Sequence, residues 1–167
     1  VSRLQTGKFM IEKNPSNIAK VVREEVDSLK VIAKTHDMRL SFQAPSSPLP
    51  EVAIDEAKIR QVIMNFMDNA IYYSRPKTSI KIVLEQVDHD IAFRVIDTGI
   101  GVPLDDQPRL FNKFFRAKNA RKQRPDGTGV GLYLAKKVIT AHKGKMIFAS
   151  EEGKGSTFGF RIPIDQA

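Results

Sequence analysis

The stretch from Ser79 to Ile96 constrains the fold more than any other part of the chain. Apolar Ile80, Ile82 and Leu84 alternate with other residues, and Ile91, Phe93 and Val95 repeat the pattern after the short connection Val87 to Asp90. Alternation across two adjoining runs predicts a hairpin of strands Ser79–Val87 and Asp90–Ile96, each with an apolar face. Such a face needs a covering layer.

Amphipathic segments on both sides can supply it. Between Asn17 and Lys34, apolar Ile18, Val21, Val22, Val26 and Leu29 recur at helical spacing, with Ser16 or Asn17 as the cap. A second helix is expected from an Asp55 cap to about Tyr73, with Ile59, Val62, Ile63, Phe66 and Ala70 on one face. A third opens after the glycine turn Gly127 to Gly131, passes through Leu132, Leu134, Ala135, Val138 and Ile139, and ends at Gly144. Further strands are expected at Arg39–Gln43, Lys145–Ser150 and Ser156–Ile162, and a short helix around Arg109 to Phe115. The proline-rich run Ala44 to Pro50 reads as a loop. About three main helices and five mostly antiparallel strands make an α/β two-layer sandwich, its mixed sheet covered on one face.

The 167 residues suit one domain with a real core. With 27 Lys and Arg against 19 Asp and Glu the formal charge is +8. That favours anionic partners without separating nucleotide, nucleic acid, acidic protein and membrane surface. The absence of cysteine excludes disulfides, thiolate chemistry and Cys-based metal sites. His36, His89 and His142 lack metal-ligand spacing. No apolar run approaches the roughly 20 residues of a membrane span, and no signal peptide opens the sequence, so this piece is expected to be soluble.

Three local patterns carry chemistry. Asn65 and Asn69 are one helical turn apart, and their side-chain carbonyls could offer a hard cation neutral oxygen ligands. Taken alone, polar boundary residues of an amphipathic helix explain them as well. Asp97-Thr98-Gly99-Ile100-Gly101 breaks a strand into a glycine turn, where a carboxylate could accept from an exocyclic amine and the glycines admit a flat ring. A plain Asp-x-Gly turn is the simpler reading of that pattern. Gly127-Thr128-Gly129-Val130-Gly131 runs straight into a helix, so its backbone N–H groups and the helix dipole could hold phosphate. It is neither a Walker loop, lacking Gly-Lys-Ser/Thr, nor a dinucleotide fingerprint, lacking the preceding strand.

Their order narrows the choice. Asn65 to Ser74 (NFMDNAIYYS), Asp97 to Pro103 (DTGIGVP), Phe111 to Arg116 (FNKFFR), Gly127 to Leu132 (GTGVGL) and Gly153 to Phe158 (GKGSTF) follow one another along nearly the whole chain. This series resembles the ATPase superfamily of gyrase, heat-shock chaperones, mismatch-repair proteins and histidine kinases, and within it the catalytic domain of sensor histidine kinases. The resemblance implies a Bergerat-type fold that binds ATP and Mg²⁺. Asn69 would coordinate the metal, with Asn65 assisting it or touching phosphate. Asp97 would read adenine, with Gly99, Ile100 and Gly101 shaping its pocket. Tyr72, Tyr73, Lys113, Gly127, Thr128, Gly129, Val130, Gly131, Leu132 and Thr157 would complete the nucleotide site.

By the same resemblance, residues from about 104 to 126 form a mobile lid. From Leu104 to Asp126 it carries seven basic residues against three acidic ones. Arg116 is the first choice for phosphate contact and catalysis, while most of the others read as solvated loop charges. Phe111, Phe114 and Phe115 would pin the lid to the core or to a partner domain. Relatives that hydrolyse ATP carry a glutamate where Asn65 stands, and an amide cannot act as that base. Tyr72 departs from the family, which often has a phosphate-touching lysine there. On that ground Tyr72→Lys is expected to tighten ATP binding.

The implied activity is protein-histidine kinase: the γ-phosphate passes to a histidine on a separate dimerisation domain, then to a response regulator. His36-Asp37-Met38-Arg39 imitates an acceptor motif, but no proline follows and it lies only 29 residues before Asn65. The acceptor is therefore expected outside this chain. Val1 to Lys8 reads as the end of the preceding hairpin, and residues 9–167 as the catalytic domain. The full-length protein would be a homodimer, with this domain cytoplasmic and membrane anchoring left open. No nucleic acid is expected among its partners. An ATP-driven clamp, a nucleotide-binding pseudokinase and a basic interaction module are the alternatives.

Overall fold

Five strands form the main sheet of the computed structural model, which describes residues 9–164. Residues 1–8, assigned above to a preceding hairpin, lie outside the described residues. In chain order the elements are β1 (Asn14–Ser16), α1 (Ile18–Thr35), β2 (Arg39–Gln43), β3 (Val52–Ile54), α2 (Glu56–Tyr73), β4 (Ser79–Val87), β5 (Asp90–Asp97), a 3-10 helix (Leu104–Arg109), α3 (Lys118–Gln123), α4 (Gly131–Ala141), β6 (Lys145–Glu151) and β7 (Gly155–Pro163). The sheet order is β2-β4-β5-β7-β6, with β2 parallel to β4 and every other pair antiparallel. The hairpin has the expected register, pairing Ile82 with Val95 and Leu84 with Phe93.

One face of this sheet meets the helices. Ile80, Ile82, Leu84, Ile91, Phe93, Val95, Phe158, Phe160 and Ile162 join one core with Ile18, Val22, Ile59, Ile63, Phe66 and Ile139. Phe93 and Phe160 stack with ring centroids 5.2 Å apart. Burying each such ring contributes about 2–3 kcal/mol. The opposite face carries Lys81, Glu85, Arg94 and Arg161, with Arg94 paired to Glu85 and Arg161 to Asp90.

Side-chain caps mark where α1 and α2 start. Asn17, not Ser16, caps α1 by accepting from the Lys20 N–H at 3.1 Å. Asp55 caps α2 through Lys58 N–H and also accepts from Glu12 N–H at 2.9 Å. Its own N–H donates to Nε2 of the fully buried His142, at 2.9 Å. That bond ties the end of α4 to the start of α2.

Three details differ from the sequence reading. The short antiparallel pair β1–β3 was not foreseen, because three-residue strands show no periodicity. No α-helix forms from Arg109 to Phe115: a 3-10 helix ends at Arg109 with Pro108 inside it, and Phe114 adopts φ +67°. Leu110, Phe111 and Phe115 imitate helical spacing there, yet the Phe114 N–H donates to Gly129 O at 3.0 Å instead. The helix in this region is α3, six residues of which only Ala120 is apolar, so it has no apolar face to announce it. Helix α4 ends at Ala141, three residues before Gly144, and Lys143 takes a left-handed conformation with φ of 60°.

Candidate functional site

A cleft of about 290 Å³ opens between α2, the end of β5, the segment from Leu104 to Asp126, and the start of α4. Its floor comprises Asn65, Asp68 and Asn69 of α2, Asp97 of β5, and Ser156 and Phe158 of β7. Its roof comes from Leu110, Phe115, Arg116, Ala117, Asn119, Ala120 and Arg124, and Gly127, Thr128, Gly129, Gly131 and Leu132 close one end.

Asp97 is the buried charge of the floor. Strand alternation puts it on the inner face, where it is 8% exposed. Burial pushes its carboxyl up to about 6, against the Gly99 and Ser156 N–H groups that favour the ionised form. At neutral pH it is therefore a carboxylate. Both N–H groups donate to Oδ1, at 2.8 and 3.2 Å, which leaves Oδ2 to meet a ligand donor.

The glycines beside it serve packing first. A Cβ on Gly99 would lie 2.2 Å from the Tyr73 carbonyl oxygen, and one on Gly101, at φ +67°, would lie 2.2 Å from the Glu151 carbonyl. The turn is thus clamped between the end of α2 and the β6–β7 turn, with Ile100 N–H donating to Tyr73 O at 3.0 Å.

At the other end of the floor, Asn65 Nδ2 donates to Gly131 O at 3.4 Å, joining α2 to the first residue of α4. One amide hydrogen is used on protein, and Oδ1 is the atom available as a neutral ligand. Helix α4 starts without a side-chain cap. Its first residues, Gly131 and Leu132, line the cleft, so the uncapped first turn and its macrodipole favour an anion there.

The roof is held by polar contacts from lid side chains. Arg116 donates to Tyr73 Oη at 2.9 Å, Ala120 O at 3.2 Å and Gly127 O at 3.3 Å. A guanidinium has five N–H donors, so some remain for a ligand. Asn119 Nδ2 donates to Gly101 O at 2.9 Å and Ile100 O at 3.4 Å. Its Oδ1 is buried without a partner among the described residues. A buried orphan acceptor costs about 1–3 kcal/mol, so this atom calls for a ligand donor or water. Of the aromatic residues, Phe111 packs edge-on against Phe148 and Phe158. Phe115 lines the cleft, and Phe114 is 67% exposed.

Of the residues assigned to the site from sequence, Asn65, Asn69, Tyr73, Asp97, Ile100, Gly101, Arg116, Gly127, Thr128, Gly129, Gly131 and Leu132 converge on the cleft. Five do not line it. Lys113 lies over the rings of Phe114 and Tyr133, beside a separate groove along α4. Tyr72 points away from the cleft interior with its ring under Arg124. Thr157 takes the other face of β7, as alternation requires when Ser156 and Phe158 face inward. Gly99 lies behind the turn against Tyr73, and Val130 N–H is turned to Thr128 Oγ1 at 3.3 Å. Asn119, Arg124 and Ser156 were missed. Ser156 could have been found from the parity of β7; the other two lie in a segment with no period.

Comparison with known proteins identifies the family. Residues 54–166 match the family described as histidine kinase-, DNA gyrase B-, and HSP90-like ATPase. The chain belongs to that family. It is an ATP-binding domain of the kind found in sensor histidine kinases. The sensor-like histidine kinase SenX3 of Mycolicibacterium smegmatis is 35% identical over 163 residues, covering 98% of this chain and 42% of that protein. The adaptive-response sensory kinase SasA of a Synechococcus strain is 41% identical over 128 residues, 75% of this chain and 33% of that protein. The chain thus spans less than half the length of these relatives. Among solved structures, the catalytic domain of histidine kinase ThkA superposes with a TM-score of 0.80 at 26% identity, covering 93% of this chain and 98% of that one. Full-length ShkA in complex with AMPPNP gives 0.82 at 27% identity, covering 98% of this chain and 34% of that one.

Proposed function

We propose that the cleft holds Mg-ATP and that this domain works within a longer sensor histidine kinase. In that protein the γ-phosphate passes to a histidine on a separate dimerisation domain, and from there to a response regulator. Adenine lies at the Asp97 end, its exocyclic amine donating to Asp97 Oδ2. The phosphates lie toward Asn65, Asn69 and the start of α4, and Mg²⁺ supplies charge neutralisation to them when bound. Asn69 holds the metal, and Asn65 Oδ1 assists without adding negative charge. Arg116 turns its remaining N–H donors to phosphate.

The arrangement around Asn65 carries the reading. Its amide faces the cleft in place of a base, with Nδ2 bound to Gly131 O. An amide cannot take a proton from water, so the site suits keeping ATP intact until a stronger nucleophile arrives. The partners that follow are ATP and ADP, the acceptor domain and a response regulator, in a homodimeric protein. Among the described residues no helix is long and apolar enough to cross a membrane. We assign the domain to the cytoplasm, with any membrane anchor elsewhere in the protein.

The test is transfer from γ-labelled ATP to the full-length protein, or to its acceptor domain supplied separately. Acid-labile phosphohistidine is expected, with loss of both label and calorimetric ATP binding in Asn69→Ala. ATP binding without any phosphohistidine would instead make the domain a pseudokinase. Steady phosphate release by the domain alone would make it a hydrolysing clamp.

A further inference from the structure

Tyr72 stands where the family often has a phosphate-touching lysine, yet its ring serves a residue of the lid. The Arg124 guanidinium lies over that ring with Cζ 3.8 Å from the centroid. Its Nη1 donates to Asp68 Oδ2 at 3.2 Å. The neighbouring Gln123 Nε2 donates to the Tyr72 carbonyl oxygen at 3.0 Å. Behind the ring, His36 meets it edge-on at 5.4 Å. The lid backbone fixes Arg124 from its own side: Arg124 N–H donates to Ala120 O at 2.8 Å, and Gly127 N–H to Arg124 O at 3.2 Å. Arg124 thereby lines the cleft beside Asn65, Asp68, Asn69 and Gly127.

These contacts differ in how readily they exchange. The Asp68–Arg124 pair is partly open to solvent, with side chains 36% and 28% exposed, so its carboxylate is a weak competitor for the guanidinium. The aromatic face holds a cation without fixing its in-plane rotation, so the guanidinium can turn from carboxylate to phosphate while it stays on the ring. We propose that Arg124 is a phosphate-binding cation delivered by the lid, and that Tyr72 is the positioning residue that holds it at the cleft in place of a lysine on α2. This rests on the nucleotide reading above and deepens it. It also reverses one expectation from the sequence. A lysine at position 72 would remove the ring and set an ammonium beside Arg124, so Tyr72→Lys should weaken ATP binding.

The test is calorimetry with adenosine and with Mg-ATP on the parent domain and its variants. A parent that binds neither ligand would sink the nucleotide reading itself, separately from this proposal. Where both bind, Arg124→Ala should weaken ATP about tenfold or more, the scale of one charge-assisted hydrogen bond, while adenosine affinity holds. Tyr72→Ala should weaken ATP about three- to fivefold, the scale of a solvent-exposed cation–π contact, and Tyr72→Phe should restore parent behaviour. The double variant Arg124→Ala/Tyr72→Ala should bind ATP no worse than Arg124→Ala alone. Parallel loss of adenosine and ATP in Arg124→Ala would reduce the residue to a structural tie of the lid. Unchanged ATP affinity in that variant, or tighter ATP binding by Tyr72→Lys, would overturn the proposal outright.

Discussion

Phe93 and Phe114 are the same residue at two extremes of one molecule. Phe93 is fully buried on β5 and stacked on Phe160, whereas Phe114 stands 67% exposed in the lid at φ +67°. The difference extends to the regions around them. The floor of the cleft is placed by strand pairing and a shared apolar core, so Asp97 and Asn69 inherit their positions from elements that cannot move singly. The lid anchors Leu110, Phe111 and Ala117 in the core, and its outer part is placed by side chains reaching backbone: Asn119 to Gly101, Arg116 to Gly127, Gln123 to Tyr72. Each such bond contributes about 1 kcal/mol and can be exchanged for a ligand or water. A rigid floor and an exchangeable roof suit a site that must admit a ligand and then enclose it.

Truncating the two phenylalanines is the widest test of that contrast. Phe93→Ala should cost about 3–5 kcal/mol of unfolding free energy, through lost burial and the cavity left behind. Phe114→Ala should change stability by less than about 0.5 kcal/mol, as an exposed side chain does. Urea unfolding of both variants measures this. A loss for Phe114→Ala comparable to that for Phe93→Ala would make the lid part of the core.

A pH titration sharpens the comparison at one group. In the folded chain burial lifts Asp97 from its ordinary 3.8 to about 6. The folded state therefore binds this proton more tightly than the unfolded one. Its contribution to stability is full below 3.8 and is lost as the pH rises through about 6. Ligand binding runs the other way, because the ionised carboxylate is the better acceptor for an amine. Adenosine affinity should rise as the pH passes about 6 and then level off, with that dependence gone in Asp97→Asn. Calorimetry over that range decides it. A rise seen with ATP but not with adenosine would move the titrating group away from the adenine end of the floor.

The same contrast explains what could be read from the sequence. Periodicity recovers every strand of the main sheet, the span of α2 and the inward face carrying Asn65 and Asn69, because alternation and helical spacing record which face is buried. It also places Asp97 at the end of a strand. It fails for Arg109 to Phe115, where the apolar spacing is real but Pro108 and the Phe114–Gly129 bond prevent a helix. Thr157 was chosen where its neighbours Ser156 and Phe158 face the cleft, although the parity of β7 held the answer. Asn119 and Arg124 could not be found this way. Their partners lie 18 and 56 residues away, and no local pattern records such a pair. Tyr72 was legible as a departure, but its meaning required seeing Arg124 on its ring.

The smallest expected effect divides the lid's own charges. Arg116 and Arg124 line the cleft, whereas Arg121 and Lys122 are exposed near the end of α3 and do not. If the lid acted as a diffuse basic flap, all four would contribute in proportion to charge. If it acts through placed donors, Arg121→Ala and Lys122→Ala should each shift the ATP dissociation constant by less than about twofold, within the range of a surface substitution. Their remaining influence should be kinetic. Removing one of 27 Lys and Arg residues lowers the positive field that draws in an anionic ligand, so association at low salt should slow slightly. That slowing should vanish near physiological ionic strength, where the screening length is about 8 Å. Stopped-flow binding at two salt concentrations separates the cases. A loss that persists at high salt and matches the loss in Arg116→Ala would mean that the lid's total charge, and not the aim of two guanidinium groups, holds the triphosphate.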